Sequence, residues 1–335
     1  MRLKFIPERC DGSSECEDES DELNCKTLYW SKAAAYSKEI PPPPPKGEEE
    51  TNKTQGKQTN CKILIQRISF ALLVTISATI MKILDIKELD GIWQPKVIFD
   101  MKWFDSRLLM QNLKDDIQLN VLATEERDLP WIPTVIFNNH KESARFLLDE
   151  KVSLVVQKEG EGYGNDDEDL DAAEIYDGTE NPFLYSRIYS EELECDFDLR
   201  SFPFDTQACT IELRVPYDLE TKVELLAENI NYNGSKSLSQ FEVEITFNRT
   251  EDGKALFIIF LNRKLAYHLV SVYIPSLSLL AISLATLHIS IDHFEANIMV
   301  HLTTMLVMYT LFQAISISLP KVSVYCYSYI LHLIL

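Results

Sequence analysis

Two cysteines, Cys195 and Cys209, stand at a spacing that allows a covalent bond to close a short loop. They bound the stretch CDFDLRSFPFDTQAC, which has a Phe-Pro-Phe-Asp turn near its middle. The segment TIELRV after Cys209 alternates apolar and polar residues, as expected of a strand with one buried face. We therefore expect a disulfide between two strands, which stabilises the fold by roughly 3 kcal/mol if it acts by restricting the unfolded chain. Such a bond implies an oxidising compartment. The loop is either the signature of a particular protein class or an ordinary hairpin disulfide of a secreted β domain.

A second pattern lies in the segment EANIMVHLTTMLVMYTLFQAISISLP, which begins at Glu295. Residues on one face of a helix recur at steps of three or four, and one such face carries an acid and several polar residues. Helix packing in a membrane also uses small polar residues, but it gives no reason for a carboxylate at the end of the stripe. We predict a pore, in which a ring of carboxylates favours cations. The predicted pore stripe consists of Glu295, Met299, Thr303, Leu306, Thr310, Gln313 and Ile317.

The pore stripe requires helices that cross a lipid bilayer, and the sequence becomes apolar directly after Arg263. A helix of about 25 residues spans a hydrocarbon core of roughly 30 Å. Pro275 is tolerated inside such a span because neighbouring helices can satisfy the freed carbonyl. We predict a transmembrane region over 264–335, with a first helix at 265–290, the pore-lining helix at 295–318 and a third helix that starts at 326 and is cut short at 335.

Short alternating runs separated by turns occupy residues 63–263 and predict an all-β sandwich. The runs are VIFDMKW, SLVVQ, FLYSRIYS, TIELRV, FEVEITF and ALFIIFL. The apolar stretch from Ile63 to Leu84 is rich in β-branched residues, which favours a strand. A retained signal-anchor is the alternative interpretation of that stretch.

Three motifs in this region together resemble the pentameric ligand-gated ion channels, the Cys-loop receptor superfamily. Residues 103–108 read WFDSRL, which is similar to the W-x-D-x-R-L strand of that family. Residues 128–139 read DLPWIPTVIFNN and are similar to its W-x-P-D segment, with Thr134 in place of the Asp. The disulfide loop resembles the signature loop of the family at Cys195, Leu199, Phe202, Pro203, Asp205, Gln207 and Cys209.

The resemblance implies an extracellular immunoglobulin-like β-sandwich, mainly β, followed by α-helical transmembrane segments. It implies a subunit of a neurotransmitter-type ligand-gated ion channel, a multi-pass protein of the cell membrane with its N-terminal domain extracellular. Five identical or homologous subunits would assemble, and a small-molecule or ionic ligand would bind between them. The resemblance places ligand-binding residues at Trp103 and Arg107 on one face and at Trp131 and Tyr217 on the other.

The same resemblance assigns roles in gating and selectivity. Asp205, Arg263 and Glu88 would couple the sandwich to the helices, and three unrelated surface charges are the alternative. Leu306 falls at the hydrophobic gate, where a ring of leucines closes a pore by dewetting. The triplet Glu295-Ala296-Asn297 resembles the cation-selective filter of bacterial proton-gated relatives. We therefore expect a cation pore, with an anion-selective channel as the alternative.

Residues 1–26 contain CDGSSECEDESDELNC, which resembles the second half of an LDL-receptor class A module, a small disulfide-stapled unit that folds around Ca²⁺. The resemblance implies a disulfide between Cys10 and Cys25, and an acidic tail without a fold is the alternative. Residues 27–62 are polar and Pro-rich and predict a linker that cannot bury a core. The implied calcium ligands are the side chains of Asp11, Glu15, Asp21 and Glu22 and the carbonyls of Glu8 and Ser13.

The totals exclude several classes of function. A formal net charge of −20 over 335 residues argues against nucleic acid as a partner, and no catalytic motif predicts an enzyme. The acidic run at 161–180 predicts a solvated loop, with a divalent-ion site as the alternative. An odd count of seven cysteines indicates a free thiol, an intermolecular bridge or sequence missing before residue 1, and we favour the last. The family resemblance implies four transmembrane helices, so we also expect the chain to be cut short at its end. A non-conducting binding protein or decoy subunit is the rival from another class. Glycosylation sequons occur at Asn52, Asn233 and Asn248.

Overall fold

The computed structural model describes residues 26–29, 36–44, 71–123, 125–141, 147–163, 174–251, 253–288 and 294–318, with side chains left undescribed at 29, 147–152, 245–246, 315–316 and 318. Several predictions fall on residues outside these ranges. They are the calcium ligands Glu8, Asp11, Ser13, Glu15, Asp21 and Glu22, the Cys10–Cys25 disulfide, the sequon at Asn52 and the third helix at 326–335.

Thirteen strands and three α-helices make up the described part of the chain. The strands are β1 Leu28–Tyr29, β2 Leu72–Lys87, β3 Ile92–Trp103, β4 Leu109–Gln111, β5 Ile136–Phe137, β6 Leu147–Val156, β7 Ile175–Asp177, β8 Phe183–Ser190, β9 Leu193–Glu194, β10 Thr206–Arg214, β11 Val223–Tyr232, β12 Phe241–Glu251 and β13 Lys254–Arg263. The helices are α1 Leu265–His268, α2 Ile274–Thr286 and α3 Phe294–Ser318, with a π-helical turn at Leu269–Tyr273 between α1 and α2.

Two sheets enclose the core of the β domain. One sheet has the order β11-β2-β3-β8-β6 with β9 paired to β3, and the other has the order β12-β13-β10-β5. Buried and less buried residues alternate along β13 and β10, as the sequence pattern predicts for strands with one face on a core. Phe99 of β3 and Phe257 of β13 meet across the sheets, with ring centroids 5.8 Å apart. The predicted sandwich-like β domain is thus confirmed.

The apolar stretch that begins before β2 forms a strand, at least from Leu72 onward. Its first half alternates, with Val74, Ile76 and Ala78 fully buried, because every second side chain faces the core. The strand pairs with β3 in antiparallel and with β11 in parallel orientation. This placement confirms the strand interpretation for Leu72–Leu84 and leaves no helix there.

The segment before β2 corrects the prediction of a linker over 27–62 for those residues that the structure describes. Leu28 belongs to the buried core, and β1 pairs with β4. Glu126, itself buried, accepts hydrogen bonds from the backbone N–H groups of Thr27 and Leu28 at 3.3 and 3.0 Å. Composition misled the prediction because partners on the β domain, which composition does not reveal, satisfy the backbone of this segment.

Residues 36–44 also pack on the β domain, and we call them the N-terminal strap. The Tyr36 hydroxyl donates to Asp105 Oδ2 at 3.1 Å and accepts from the Trp131 N–H at 2.7 Å. Arg107 donates to the carbonyl of Ile40 at 2.9 Å. Burial and the neighbouring Asp105 carboxylate raise the pKa of Tyr36, so its hydroxyl stays protonated.

The helices follow β13 without a break. Leu265–Thr286 is one continuous helical segment of 22 residues with a mean hydropathy of 1.8, long and apolar enough to cross a membrane. It is the one such helix among the described residues. The π-helical turn lies just before Pro275, whose ring nitrogen has no hydrogen to donate to the preceding turn. The first predicted span therefore matches a helix that ends at Thr286, while the multi-pass topology stays a prediction.

Candidate functional site

The loop between Cys195 and Cys209 is closed by a disulfide in the structure. Cys195 directly follows β9, and Cys209 lies within β10, so the bond joins the two strands that enter and leave the loop. Gln207 braces the loop from inside. Its Oε1 accepts the Asp198 N–H at 2.8 Å, and its Nε2 donates to the Asp198 carbonyl at 2.9 Å. The brace explains why an amide fits at position 207.

Arg263, Asp205 and Glu88 form one cluster, which we call the ionic latch. Arg263 Nε lies 2.7 Å from Asp205 Oδ1, and Nη2 lies 3.0 Å from Asp205 Oδ2. On its other edge, Nη1 and Nη2 donate to the two carboxylate oxygens of Glu88 at 2.9 and 2.6 Å. The guanidinium therefore serves two carboxylates in the bidentate manner that its planar donors allow.

The ionic latch is buried. The side chains of Arg263, Asp205 and Glu88 are 1%, 2% and 12% exposed. The rings of Phe202 and Phe241 lie 4.8 and 4.7 Å from the guanidinium carbon. Burial alone would lower the pKa of Arg263, but its hydrogen bonds to Glu88 and Asp205 outweigh this and raise it. The cation is thus held charged between two anions and two aromatic faces.

Three separate segments bring the ionic latch together. Arg263 ends β13, and its N–H donates to the Asp205 carbonyl at 3.2 Å. Glu88 begins the 3-10 turn that joins β2 to β3, and Gly91 closes that turn at a φ of +65°. The first helix starts two residues after Arg263. The latch therefore links the disulfide loop, the β2–β3 turn and the entry to α1.

A ring contact extends this junction into the first helix. Phe202 of the disulfide loop lies edge-on to His268 at the end of α1, with ring centroids 4.8 Å apart. The loop therefore contacts both the last strand of the β domain and the first turn of the helical region.

The predicted ligand-binding set requires a correction. Trp103 and Trp131 do not lie on opposite faces, since their rings contact each other edge-on at 6.1 Å and are 0% and 4% exposed. Trp103 also stacks on Phe183 at 5.7 Å. Both indoles belong to the core, because ring area of this size stabilises the fold most when it is buried. Sequence identity alone could not separate a core tryptophan from one that contacts a ligand.

Arg107 is committed to the fold as well. Its Nε and Nη2 donate to the two carboxylate oxygens of Asp105 at 2.8 Å, and its guanidinium carbon lies 4.4 Å from the centroid of Tyr36. The W-x-D-x-R-L strand thus ends in an Asp–Arg pair that holds the N-terminal strap. This role corrects the expectation that Arg107 contacts a ligand.

Tyr217, the fourth predicted ligand residue, is 77% exposed in the turn after β10. The guanidinium carbon of Arg214 lies 4.4 Å from its ring centroid. The Nε and Nη1 atoms of Arg214 are buried and have no hydrogen-bond partner in the described structure. Arg214 was not predicted, and the orphaned donors that single it out carry no signal in the sequence. The pair places the guanidinium, whose buried donors lack partners in the described structure, against an exposed aromatic ring.

The seven residues of the pore stripe lie on α3 and are exposed in the single chain. The contact between α2 and α3 uses another face of α3. There His301 Nδ1 lies 2.9 Å from the Ser283 hydroxyl, and Nε2 lies 3.0 Å from the Thr286 hydroxyl. Glu295 stands in the first turn of α3, where the helix dipole favours a carboxylate. The pore stripe therefore does not serve to pack α2 against α3.

Two sequons fall on described residues, and their side chains differ. Asn233 is exposed in the loop after β11. The Asn248 amide donates to the carbonyls of Ala227 and Glu228 at 3.1 and 2.8 Å, which uses both of its hydrogens. The structure thus argues against a glycan at Asn248 in the folded domain. The centre of the acidic run, at 164–173, lies outside the described residues. The residues that the structure describes contain no group of three acids, histidines or cysteines that could hold a metal.

The fold and the disulfide loop define a β domain joined to a membrane-type helix, and comparison with known proteins narrows the class. Residues 65–165 match the family model of the neurotransmitter-gated ion-channel ligand binding domain. The matched region contains β2 to β6.

Comparison with individual proteins gives similarity to receptor and channel subunits that agrees with the family match. The chain is 24% identical over 265 residues to a gamma-aminobutyric acid receptor subunit beta of Caenorhabditis elegans, covering 76% of this chain and 44% of the relative. It is 24% identical over 266 residues to a glutamate-gated chloride channel of Drosophila melanogaster, covering 75% and 53%. A gamma-aminobutyric acid receptor subunit beta of Lymnaea stagnalis is 26% identical over 208 residues, covering 58% and 37%. The chain thus spans between 37% and 53% of the length of these relatives.

Proposed function

We propose that this chain is a subunit of a ligand-gated ion channel that assembles from identical or homologous subunits as a pentamer. The observation that carries the proposal is the ionic latch, because it joins the disulfide loop and the β2–β3 turn to the residue that leads into α1. A cation shared by two carboxylates at this junction can keep the β domain and the helices aligned with each other in each of two conformational states. The match to the ligand binding domain supports the same conclusion.

The ligand we propose is a small molecule with a carboxylate. Gamma-aminobutyric acid and glutamate, named in the relatives, both carry one. We assign the carboxylate to the guanidinium of Arg214, because its Nε and Nη1 have no hydrogen-bond partner in the described structure, and the amine at the other end to the exposed ring of Tyr217. Trp103 and Trp131 do not contact the ligand in this proposal; they form part of the core, and Arg107 holds the N-terminal strap.

For ion selectivity, the relatives favour anions, since one of them is named a chloride channel. Cation selectivity, the expectation drawn from Glu295, has no support from these relatives and is the second candidate. It is retained because a ring of exposed carboxylates at the start of α3 would attract cations. Leu306 is proposed as the gate in either case.

The remaining assignments are proposals of the same kind. The β domain would face the outside of the cell, with the helices after Arg263 in the bilayer. The acidic residues of 1–26 would bind Ca²⁺, which calcium titration of the purified chain tests by calorimetry. A non-conducting binding protein or decoy subunit is the alternative if the chain binds ligand and no current follows.

Ligand binding by the purified chain tests the proposed site. We expect gamma-aminobutyric acid or glutamate to bind, and Arg214→Gln to weaken binding by roughly tenfold or more, as loss of a charge-assisted hydrogen bond predicts. Arg249→Gln is the matched control, since Arg249 is an exposed arginine paired with Glu251 on β12. Equal affinity in all three proteins would contradict the assignment of Arg214.

A further inference from the structure

Glu191 is a buried acid in the turn between β8 and β9. It is 3% exposed, and its Oε2 has no hydrogen-bond partner in the part of the chain that the structure describes. An ionised carboxylate without partners is costly to bury, whereas the protonated form is far less so. The position therefore favours the protonated acid.

Backbone pairing places Glu191 next to His140. Leu193 stands opposite His140 in an antiparallel bridge, which is flanked by hydrogen bonds from Lys141 N–H to the Glu192 carbonyl at 3.1 Å and from Glu194 N–H to the Asn139 carbonyl at 2.8 Å. Side chains alternate along an extended segment, so Glu191 shares the core-facing side with Leu193 and lies diagonally across from His140.

The charged and titratable groups around Glu191 divide between two faces. His140 and Tyr189 act on the same side as Glu191, and Arg187 lies over the Tyr189 ring at 5.3 Å. Alternation puts Lys141, Glu192 and Glu194 on the other side. There Glu192 pairs with Lys87 at 3.1 Å.

Two further neighbours complete this environment. Lys96 of β3 stands opposite Ser190, and Leu147 of β6 pairs with Ser190 from the other edge. Burial raises the pKa of Glu191 to about 7, with the charge of His140 opposing the rise. Burial likewise raises the pKa of Tyr189 to about 12, so the phenol stays neutral when Glu191 titrates.

We propose that Glu191 is a proton-binding site of the β domain and that a proton bound there regulates the strand leading into the disulfide loop. The connection is short. β9 begins two residues after Glu191, pairs with β3 and ends at Glu194; the next residue is Cys195, whose N–H donates to the Gly91 carbonyl at 2.8 Å. Gly91 closes the turn that carries Glu88 of the ionic latch. Regulation of a current through this route rests on the proposed channel function, whereas proton binding does not.

The sign of the effect follows from the raised pKa. The neutral acid stabilises the folded domain at pH values below the ordinary range of a glutamate, and that stabilisation is lost as the pH rises through about 7. The apparent melting temperature of the full chain in detergent should therefore fall by roughly 5 °C between pH 5 and pH 8.5, and it should level off once the pH passes about 7.

Three variants test the proton site. Glu191→Gln should remove this fall, Glu192→Gln should keep it as the matched control, and His140→Gln should move its midpoint to higher pH because the opposing cation is gone. Hydrogen exchange at the amides of Glu194 and Cys195 should follow the same pH profile in the wild-type chain. A Glu191→Gln profile equal to that of the wild type would overturn the proposal. If that variant does not fold, an unmoved midpoint in His140→Gln overturns it instead.

Ligand-evoked currents then separate the two proposals. In the wild type the half-maximal ligand concentration should change between pH 6 and pH 8, and in Glu191→Gln it should not. Absence of any current beside a shifted melting profile would overturn the channel function and support the proton site. A normal current whose pH dependence is unchanged by Glu191→Gln would support the channel function and overturn the proton site.

Discussion

Arg263 is the residue on which the junction between the β domain and the helices depends. Removing one partner of a buried ion pair leaves an uncompensated charge, which typically costs about 3–5 kcal/mol. Arg263→Ala leaves two carboxylates, Asp205 and Glu88, without their shared cation. We expect a loss of this size in the free energy of unfolding, measured by denaturant titration.

Arg249→Ala is the control for that measurement. Its partner Glu251 lies 3.2 Å away, and at least half of each side chain is exposed to solvent. An exposed pair of this kind contributes about 0–1 kcal/mol. Similar costs for the two variants would mean that the ionic latch is not a buried network.

Glycosylation is the second property decided by single side chains. We predict that Asn233 carries a glycan and Asn248 does not, because the Asn248 amide spends both hydrogens on the carbonyls of Ala227 and Glu228. After expression in a secretory cell line, Asn233→Gln should increase gel mobility, and Asn248→Gln should leave it unchanged. A mobility shift in the Asn248 variant alone would refute this assignment.

At the scale of elements, the N-terminal strap is the part that composition hid. The Tyr36 hydroxyl joins Asp105 to the backbone of Trp131. Tyr36→Phe leaves a buried carboxylate oxygen and an N–H without this partner, which costs about 1–3 kcal/mol. We expect a lower melting temperature and faster proteolysis before β2.

Tyr217→Phe is the matched control for the strap, because the Tyr217 ring is mostly in solvent. Its effect on the free energy of unfolding should stay within about 0.5 kcal/mol. If Tyr36→Phe is equally harmless, the strap does not stabilise the β domain.

Strands were the elements that could be predicted, since alternation reports which side faces a core. β10 and β13 follow their patterns residue by residue. The family resemblance, rather than any local pattern, brought Asp205, Arg263 and Glu88 together, although 175 positions separate Glu88 from Arg263. The strap and Arg214 were missed for a physical reason. The strap matters through the distant side chain and backbone that Tyr36 meets, and Arg214 through buried donors without partners in the described structure. Nothing local in the sequence records either.

The tryptophans show the opposite error. Trp103 and Trp131 stand in motifs that suggest a ligand site, yet each ring is worth more to the core than to the surface. A motif residue can be a buried core residue that lies beneath a binding site without contacting the ligand. Burial, which only the folded chain reveals, decides between the two.

At the scale of the whole molecule, α3 has two faces with different tasks. His301 binds the hydroxyls of Ser283 and Thr286 on α2, whereas Thr303 and the rest of the pore stripe point away from that contact. We predict that Thr303→Cys reacts with a water-soluble thiol reagent from outside the cell, and more rapidly when ligand is present. Thr304→Cys, one position along, should react slowly, and equal rates would contradict a water-filled pore along the stripe.

Recording the current evoked by ligand is the strongest test of the proposed channel function. The chain should be expressed at the surface of a cell with no ligand-gated conductance of its own, and the reversal potential should be recorded as external chloride is replaced. We predict a current evoked by a carboxylate-bearing ligand, with a reversal potential that follows chloride. In Arg263→Ala we predict a loss of current while ligand still binds. A reversal potential that follows sodium would instead mean a cation-selective pore with the Glu295 ring as its filter. Verified surface expression and ligand binding without any current would contradict the channel function.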